Sequence, residues 1–439
     1  CRFMPEMSLD RTKAPEIREF GNLVMPEVEK SILANGIPLY ELDHGSQEAC
    51  CLTCVWRGGI AEGKAKALPA LVLSMMREGT TAHSGEEIAD IIEYNGAKLF
   101  VSADSHFSTL KLYTLNSRAA DVLPLLPEMI LHPTFPEKNF EVLREKAAKN
   151  EEIKLAKVET QATNAVNRMV MGANHPLAVT ETPEDIRAYT RADLVRWHER
   201  VFPPVTGESG ESSLTLFLAG RITPEIRKMV HDLFGQIPVE KLEPMPFNII
   251  PFECNGAGEE RVRVDGALQS AVRMFMPAID RNHPDYIVLR LLVMALGGYF
   301  GSRLMSNIRE DKGYTYGINS YLLGYPEGGL IGISSSTDNS TADALIEETI
   351  GEIKRLSKGD FTEDEIARLK QHAMSTLASS LDSSFDIMEY YINGLVAFIP
   401  SNYFEEQVKA VKSLTPELLT RVAREHLSLD RLNIAVAGA

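Results

Sequence analysis

Phe135-Pro136-Glu137-Lys138-Asn139-Phe140-Glu141-Val142-Leu143-Arg144 and Phe361-Thr362-Glu363-Asp364-Glu365-Ile366-Ala367-Arg368-Leu369-Lys370 are two versions of one signal, offset by 226 positions (361 minus 135). Each sets an aromatic residue before a helix that opens on Pro136 or Thr362, with acidic side chains in its first turn. A second match follows at nearly the same offset, Thr190 to Phe202 against Thr415 to Leu427, with Leu194 opposite Leu419 and Trp197 opposite Val422. Both copies close on a short apolar run ending in Ala-Gly, residues 214–220 and 432–438. The offset shrinks there because the first copy carries an extra loop, Pro203 to Ser213. A repeat of half the chain predicts two domains of one fold. The 439 residues also exceed what one hydrophobic core usually serves.

Within the first copy, Asn35-Gly36 predicts a two-residue hairpin turn between strands over 28–33 and 37–42. Further strands are predicted over 49–55, 98–102 and 109–115, and helices over 68–77, 84–94, 119–131 and 136–156. The second copy repeats the order, with strands over 261–264, 271–276, 316–323 and 329–335 and a helix over 286–296. This mixed order predicts an α+β fold: two duplicated domains, each a mostly antiparallel, meandering sheet with helices on one face. Prolines 244, 246 and 251 forbid a continuous helix at the join. The expected division is residues 1–240, a linker at 241–256, and residues 257–439.

One segment of the second copy carries chemistry. After Gly297-Gly298-Tyr299-Phe300-Gly301-Ser302-Arg303 comes Leu304-Met305-Ser306-Asn307-Ile308-Arg309-Glu310-Asp311-Lys312-Gly313-Tyr314-Thr315-Tyr316. Alone, Arg309 and Tyr316 read as a helix-end arginine and a strand tyrosine. In its setting the segment resembles the Arg/Tyr pair of the pitrilysin-type zinc metalloproteases, the group of insulinase and mitochondrial processing peptidase. In that family the pair lies in the half that holds no metal. The resemblance covers nearly the whole chain.

The same resemblance registers Ala70-Leu71-Val72-Leu73-Ser74-Met75-Met76-Arg77-Glu78-Gly79-Thr80 against the family's inverted zinc motif, His-x-x-Glu-His followed by Gly-Thr. Ala70 and Ser74 then stand where the two histidines belong, and Leu73 where the glutamate belongs. Imidazoles one helical turn apart hold Zn²⁺, and the carboxylate between them takes a proton from the bound water. Alanine, leucine and serine do neither. The family's third ligand falls at Glu151, a remnant carboxylate, and one carboxylate is not a zinc site.

The resemblance therefore implies a subunit that binds no metal or other cofactor itself and is inactive alone. It would contribute Arg309, Tyr316 and half of a peptide-binding chamber to a zinc-bearing homologue, with which it forms a heterodimer. A homodimer is the other partner expectation. Gly297, Gly298 and Gly301 are expected either to let the backbone approach a bound peptide or simply to end a helix. The competing implication is a non-enzymatic scaffold resembling the core subunits of the cytochrome bc1 complex.

Other classes are set aside on composition and motif. A net charge of −16 opposes nucleic-acid and anionic-membrane surfaces, which need clustered Lys and Arg. Gly58-Gly59-Ile60-Ala61-Glu62-Gly63-Lys64-Ala65 nearly spells a phosphate loop, but Ala65 replaces the magnesium-binding hydroxyl. No Gly-x-Ser-x-Gly elbow occurs, and no two of the ten histidines have metal-helix spacing. Cys51 and Cys54 fall in a predicted strand and are expected to be buried free thiols. No apolar stretch reaches transmembrane length, and no basic-then-apolar leader opens the chain. The compartment stays open between cytoplasm and periplasm, with Cys1 a position at which a lipid anchor could be attached.

Overall fold

The computed structural model describes residue 12 and residues 20–439; Cys1, the anchor position, lies outside them. Eleven strands form two sheets. The first contains β1 (Glu29–Ile32), β2 (Pro38–Asp43), β3 (Ala49–Arg57), β4 (Lys98–Ala103), β5 (Phe107–Leu115) and β6 (Leu214–Gly220), in the order β1-β2-β6-β3-β5-β4. The second contains β7 (Gly258–Arg263), β8 (Gln269–Ala278), β9 (Ile318–Tyr325), β10 (Gly328–Asp338) and β11 (Asn433–Gly438), in the order β7-β11-β8-β10-β9. Without the edge strand β1, the two orders are identical. The duplication read from the sequence is thus a duplication of topology. The expected simple meander is broken in both sheets. The last strand of each copy inserts between the first two and runs parallel to one of them, β2 with β6 and β7 with β11, while the remaining pairs are antiparallel.

Helices α1 (Leu68–Met75), α2 (Gly85–Tyr94) and α3 (Glu137–Leu155) belong to the first copy, followed by α4 (Val158–Met171). In the second copy α5 (Tyr286–Gly297), α6 (Ala342–Lys358), α7 (Ser384–Val396), α8 (Tyr403–Ser413) and α9 (Pro416–His426) follow. Local chemistry sets the ends: Ser84 caps α2 by accepting from the Glu87 amide at 3.2 Å while the Glu87 carboxylate accepts from the Ser84 amide at 2.8 Å. Each sheet buries one face under helices of its own copy, with Trp56, Leu73 and Phe140 in the first core and Leu289, Ile308 and Leu419 in the second.

The opposite faces are covered by exchange. Helix α4, from the first copy, lays Ala162, Ala165, Val166 and Val170 on Ala271, Phe275, Ala435 and Ala437 of the second sheet. Helix α7, from the second copy, lays Ile387, Met388 and Ile392 on Tyr40, Leu42, Phe217 and Ala219 of the first. Each fully buried large side chain of this kind contributes about 1.5–3 kcal/mol, so the exchange binds the copies to one another. It also explains why β3, sealed on both sides, is apolar along nearly its whole length instead of alternating. His106 and Glu327, 3 % and 0 % exposed, meet at 2.7 Å across the same seam, in an electrostatic contact that is not a directed hydrogen bond.

Three local expectations need correction. The hairpin turn is longer than two residues, because the Leu33 amide donates to the Ile37 carbonyl at 2.9 Å and leaves Ala34 to Gly36 as the loop. Asn35 is held there by donating to Phe234 and Ile237 carbonyls at 2.7 and 3.0 Å. The helix over 119–131 is two short helices, 119–122 and 125–131, parted at Pro124, which has no amide to continue the ladder. Tyr316 precedes β9 instead of opening it. Cys50, Cys51, Cys54 and Cys254 are free, and burial pushes the Cys50 and Cys51 thiols up to about 12 and about 11.

Candidate functional site

Helix α1 carries the positions registered against a zinc motif. Ala70 is exposed, Ser74 is half-buried, and Leu73 between them is 0 % exposed within the first core. The Ser74 hydroxyl donates back to the Ala70 carbonyl at 2.8 Å, so its hydrogen belongs to the helix. A methyl, an isobutyl group and a back-bonded hydroxyl do not fit a zinc ion, which takes imidazole, thiolate or carboxylate donors. No step of chemistry is assigned to a metal held by these residues.

Glu151, on α3, is mostly buried and accepts from the Lys154 ammonium at 3.2 Å. A second ammonium lies within electrostatic reach of it, that of Lys66, four residues before Ala70. Lys66 donates to the Leu177 carbonyl at 2.8 Å, and burial first, then the charge of Lys154, pushes its pKa down to about 8 against the pull of Glu181 and Glu151. Glu181 accepts from the Ala67 amide at 2.8 Å and from the Tyr189 hydroxyl, and burial raises its pKa. The positive charge beside Glu151 is therefore ammonium. Nothing in the sequence marks Lys66, Glu181 and Tyr189 as a group, since 115 residues (181 minus 66) separate the first two.

Arg309 lies in a π-helix, Met305–Asp311, a rare wide turn that often accompanies functional sites. Its guanidinium stacks over the Phe300 ring at 5.0 Å. The segment is anchored on both sides. Asn307 donates to Glu352 and Glu348 of α6 at 2.8 and 3.2 Å, and Lys312 pairs with Glu348. Gly313 then turns the chain at φ +64, a left-handed conformation that favours glycine. Beyond it the Thr315 hydroxyl donates to the Ser336 carbonyl at 2.6 Å and accepts from the Ser335 hydroxyl at 3.1 Å. Between these fixed points Tyr316 stands 91 % exposed. The backbone is held, and the tyrosine ring and hydroxyl are presented to solvent.

The glycines divide. Gly297 is buried at the end of α5, where a Cβ would lie 2.7 Å from the Ser320 amide nitrogen of β9. Gly298 caps that helix and Gly301 follows in the turn, both exposed and neither at positive φ. Among the described residues, one group of metal-type donors converges, His283, Asp285 and His426, within 4.8 Å of one another between α5 and α9. It is an ion-pair cluster in this structure: Asp285 accepts from Arg421 at 2.6 and 2.9 Å and from His426 at 3.0 Å. The 141 residues (426 minus 285) between two of its members hid it from a reading by spacing.

Comparison with known proteins points to one family. A family model described as the peptidase M16 inactive domain matches residues 190–372. The chain is 24 % identical over 368 residues to the Bacillus subtilis protein named uncharacterized zinc protease YmxG, covering 81 % of this chain and 84 % of that one. It is 21 % identical over 396 residues to a Helicobacter pylori protein named non-peptidase homolog YmxG, covering 87 % and 86 %. A crystal structure described as the peptidase M16 inactive domain from Pseudomonas fluorescens superposes with a TM-score of 0.81 at 21 % identity, over 94 % of this chain and 98 % of that one.

Proposed function

This chain belongs to the peptidase M16 family, the pitrilysin and insulinase type, and we propose that it is the zinc-free subunit of a heterodimeric peptidase. In this reading a homologous partner supplies the metal. The chain supplies Arg309, Tyr316 and half of the chamber that receives an unfolded peptide. The observation that carries the reading is the contrast between two places in one molecule. Leu73 plugs the core where the resemblance puts a general base, while Tyr316 is exposed and Arg309, seven residues before it, stacks on Phe300.

A phenol hydroxyl and a guanidinium are suited to one task in peptide hydrolysis, donating hydrogen bonds to the oxygen that becomes negative as the carbonyl is attacked. A fixed backbone would let them donate with little reorganisation. Gly298 and Gly301, exposed on either side of Phe300 in sequence, would offer backbone to a peptide.

The test is co-expression with a homologue that has an intact His-x-x-Glu-His helix. Arg309→Ala and Tyr316→Phe should each lower turnover by the pair about a hundredfold to a thousandfold, with the dimer intact by size-exclusion chromatography. Wild-type turnover with Tyr316→Phe would reject the assignment. A stable homodimer that leaves the activity of each such homologue unchanged would favour the scaffold reading instead.

A further inference from the structure

The chain has 61 acidic residues against 45 basic ones, yet a cavity of about 400 Å³ in the second copy gathers two arginines and four tyrosines. Arg281 precedes α5, Arg290 and Tyr286 lie on it, and Tyr390, Tyr391 and Tyr403 come from α7 and the start of α8. Neither guanidinium is ion-paired among the described residues, and the Arg281 Nε is buried without a hydrogen-bond partner. The neighbouring carboxylate of Asp280 accepts instead from the Asn282 amide at 2.8 Å. Glu405 faces Tyr390 and pairs with neither arginine. Both guanidiniums line the one cavity, where Arg281 bonds the Tyr286 hydroxyl and Arg290 the Tyr403 hydroxyl, so their polar partners there are neutral. That space depends on a glycine: a Cβ on Gly324 would lie 2.3 Å from the Arg281 Nε and 2.6 Å from the Tyr286 hydroxyl.

A buried Nε without an acceptor is costly, and an entering anion would supply that acceptor and the negative charge that the neutral hydroxyls lack. We propose that this cavity binds a carboxylate carried on an apolar body. The arginines take the carboxylate, for which their planar forks are suited. The tyrosine rings, with Leu322 and Phe404, enclose the body. A bare inorganic anion would leave those walls unfilled. The chemistry is shared by the C-terminal residue of a peptide and by a free aromatic acid. It does not rest on the subunit reading above, because none of these residues belongs to the Arg309 segment.

Calorimetric titration of the full chain at low ionic strength tests it with three probes: 3-phenylpropionate, N-acetyl-Ala-Ala-Phe with a free C-terminus, and the same tripeptide as its C-terminal amide. At least one acid should bind, with the amide about tenfold weaker or more. Binding of the tripeptide acid alone assigns the site to peptide ends, and binding of phenylpropionate alone assigns it to free acids. Arg290→Gln, at an exposed position, and Arg281→Met should each weaken the acid about tenfold to a hundredfold. Gly324→Ala should do the same by displacing Arg281 without removing its charge. Circular dichroism checks that each variant is folded, and if Arg281→Met is not, Arg290→Gln decides. Failure of both acids to bind at millimolar concentration, equal binding of acid and amide, or undiminished binding to Arg290→Gln would overturn the proposal.

Discussion

Placing the family's glutamate back on α1, by Leu73→Glu, should destabilise the first copy, and more so as pH rises. Two terms add. Removing a fully buried leucine costs about 2–5 kcal/mol, which Leu73→Ala measures alone. Burying a carboxyl raises its pKa by up to about 3–5 units, so it folds neutral well above its unfolded pKa of about 4.3. Between those two values the folded state holds the proton and the unfolded state does not, so stability falls with rising pH by about 1.4 kcal/mol per unit. From pH 5 to pH 8 the loss approaches about 4 kcal/mol, which lowers the urea midpoint by more than about 1 M at a slope near 3 kcal/mol/M. The assay is tryptophan fluorescence in urea, because the chain has two tryptophans, Trp56 and Trp197, and both lie in the first core. Ala70→His is the control, expected within about 0.5 kcal/mol of wild type because that position is exposed. If Leu73→Glu keeps the pH dependence of Leu73→Ala, the side chain at this position reaches solvent. Leu73 would then not be the core residue that its 0 % exposure makes it.

Glu327→Ala should cost about 3–5 kcal/mol, since it leaves His106 without its buried partner across the seam, and urea denaturation followed by circular dichroism checks it. Arg421 holds the Asp285 carboxyl well below the usual carboxylate range, with His426 assisting. That stabilisation is present above an unfolded pKa of about 3.9 and is lost as pH falls below it, so Asp285→Asn should flatten the acid side of a stability-against-pH curve. Gly297→Ala drives a Cβ toward the Ser320 amide at 2.7 Å and should cost about 1–3 kcal/mol by overpacking. A thermal melt shows the loss, and peptide affinity of the folded fraction should not move.

The parts of this molecule that were legible in the sequence are those written in local pattern. Capped helices recurring at a fixed offset announced two copies of one topology, and the sequence places Ala70, Leu73 and Ser74 on one helix, as α1 has them. The exchange of α4 and α7 was not legible, because an amphipathic stripe shows that a helix is covered and not which sheet covers it. Gly324 beside Arg281, Lys66 beside Glu151, and His106 against Glu327 are likewise contacts of tertiary folding, set by strands paired across long sequence separations. The π-turn at Arg309 was hidden for a different reason: a single added residue in a helical turn leaves no periodic trace in so short a segment.

The α1 positions and the Arg309 segment differ in what holds their residues in place. Leu73 is accounted for by the core alone, and Lys66 gives Glu151 a positive neighbour without a metal, so the fold is satisfied there with no reaction to perform. The Arg309 segment is different. Asn307, Lys312 and Thr315 fix the backbone on either side, and a Tyr316 that is 91 % exposed adds little burial to that arrangement. Stability would be served as well by a polar side chain in its place. A rigid mount for an exposed phenol is intelligible as preparation for something that arrives from outside, since preorganised donors spend less on ordering when their acceptor appears. On the proposed reading, the exposed Tyr316 hydroxyl is the group that would meet a partner's substrate, whereas Leu73 is explained by its burial alone.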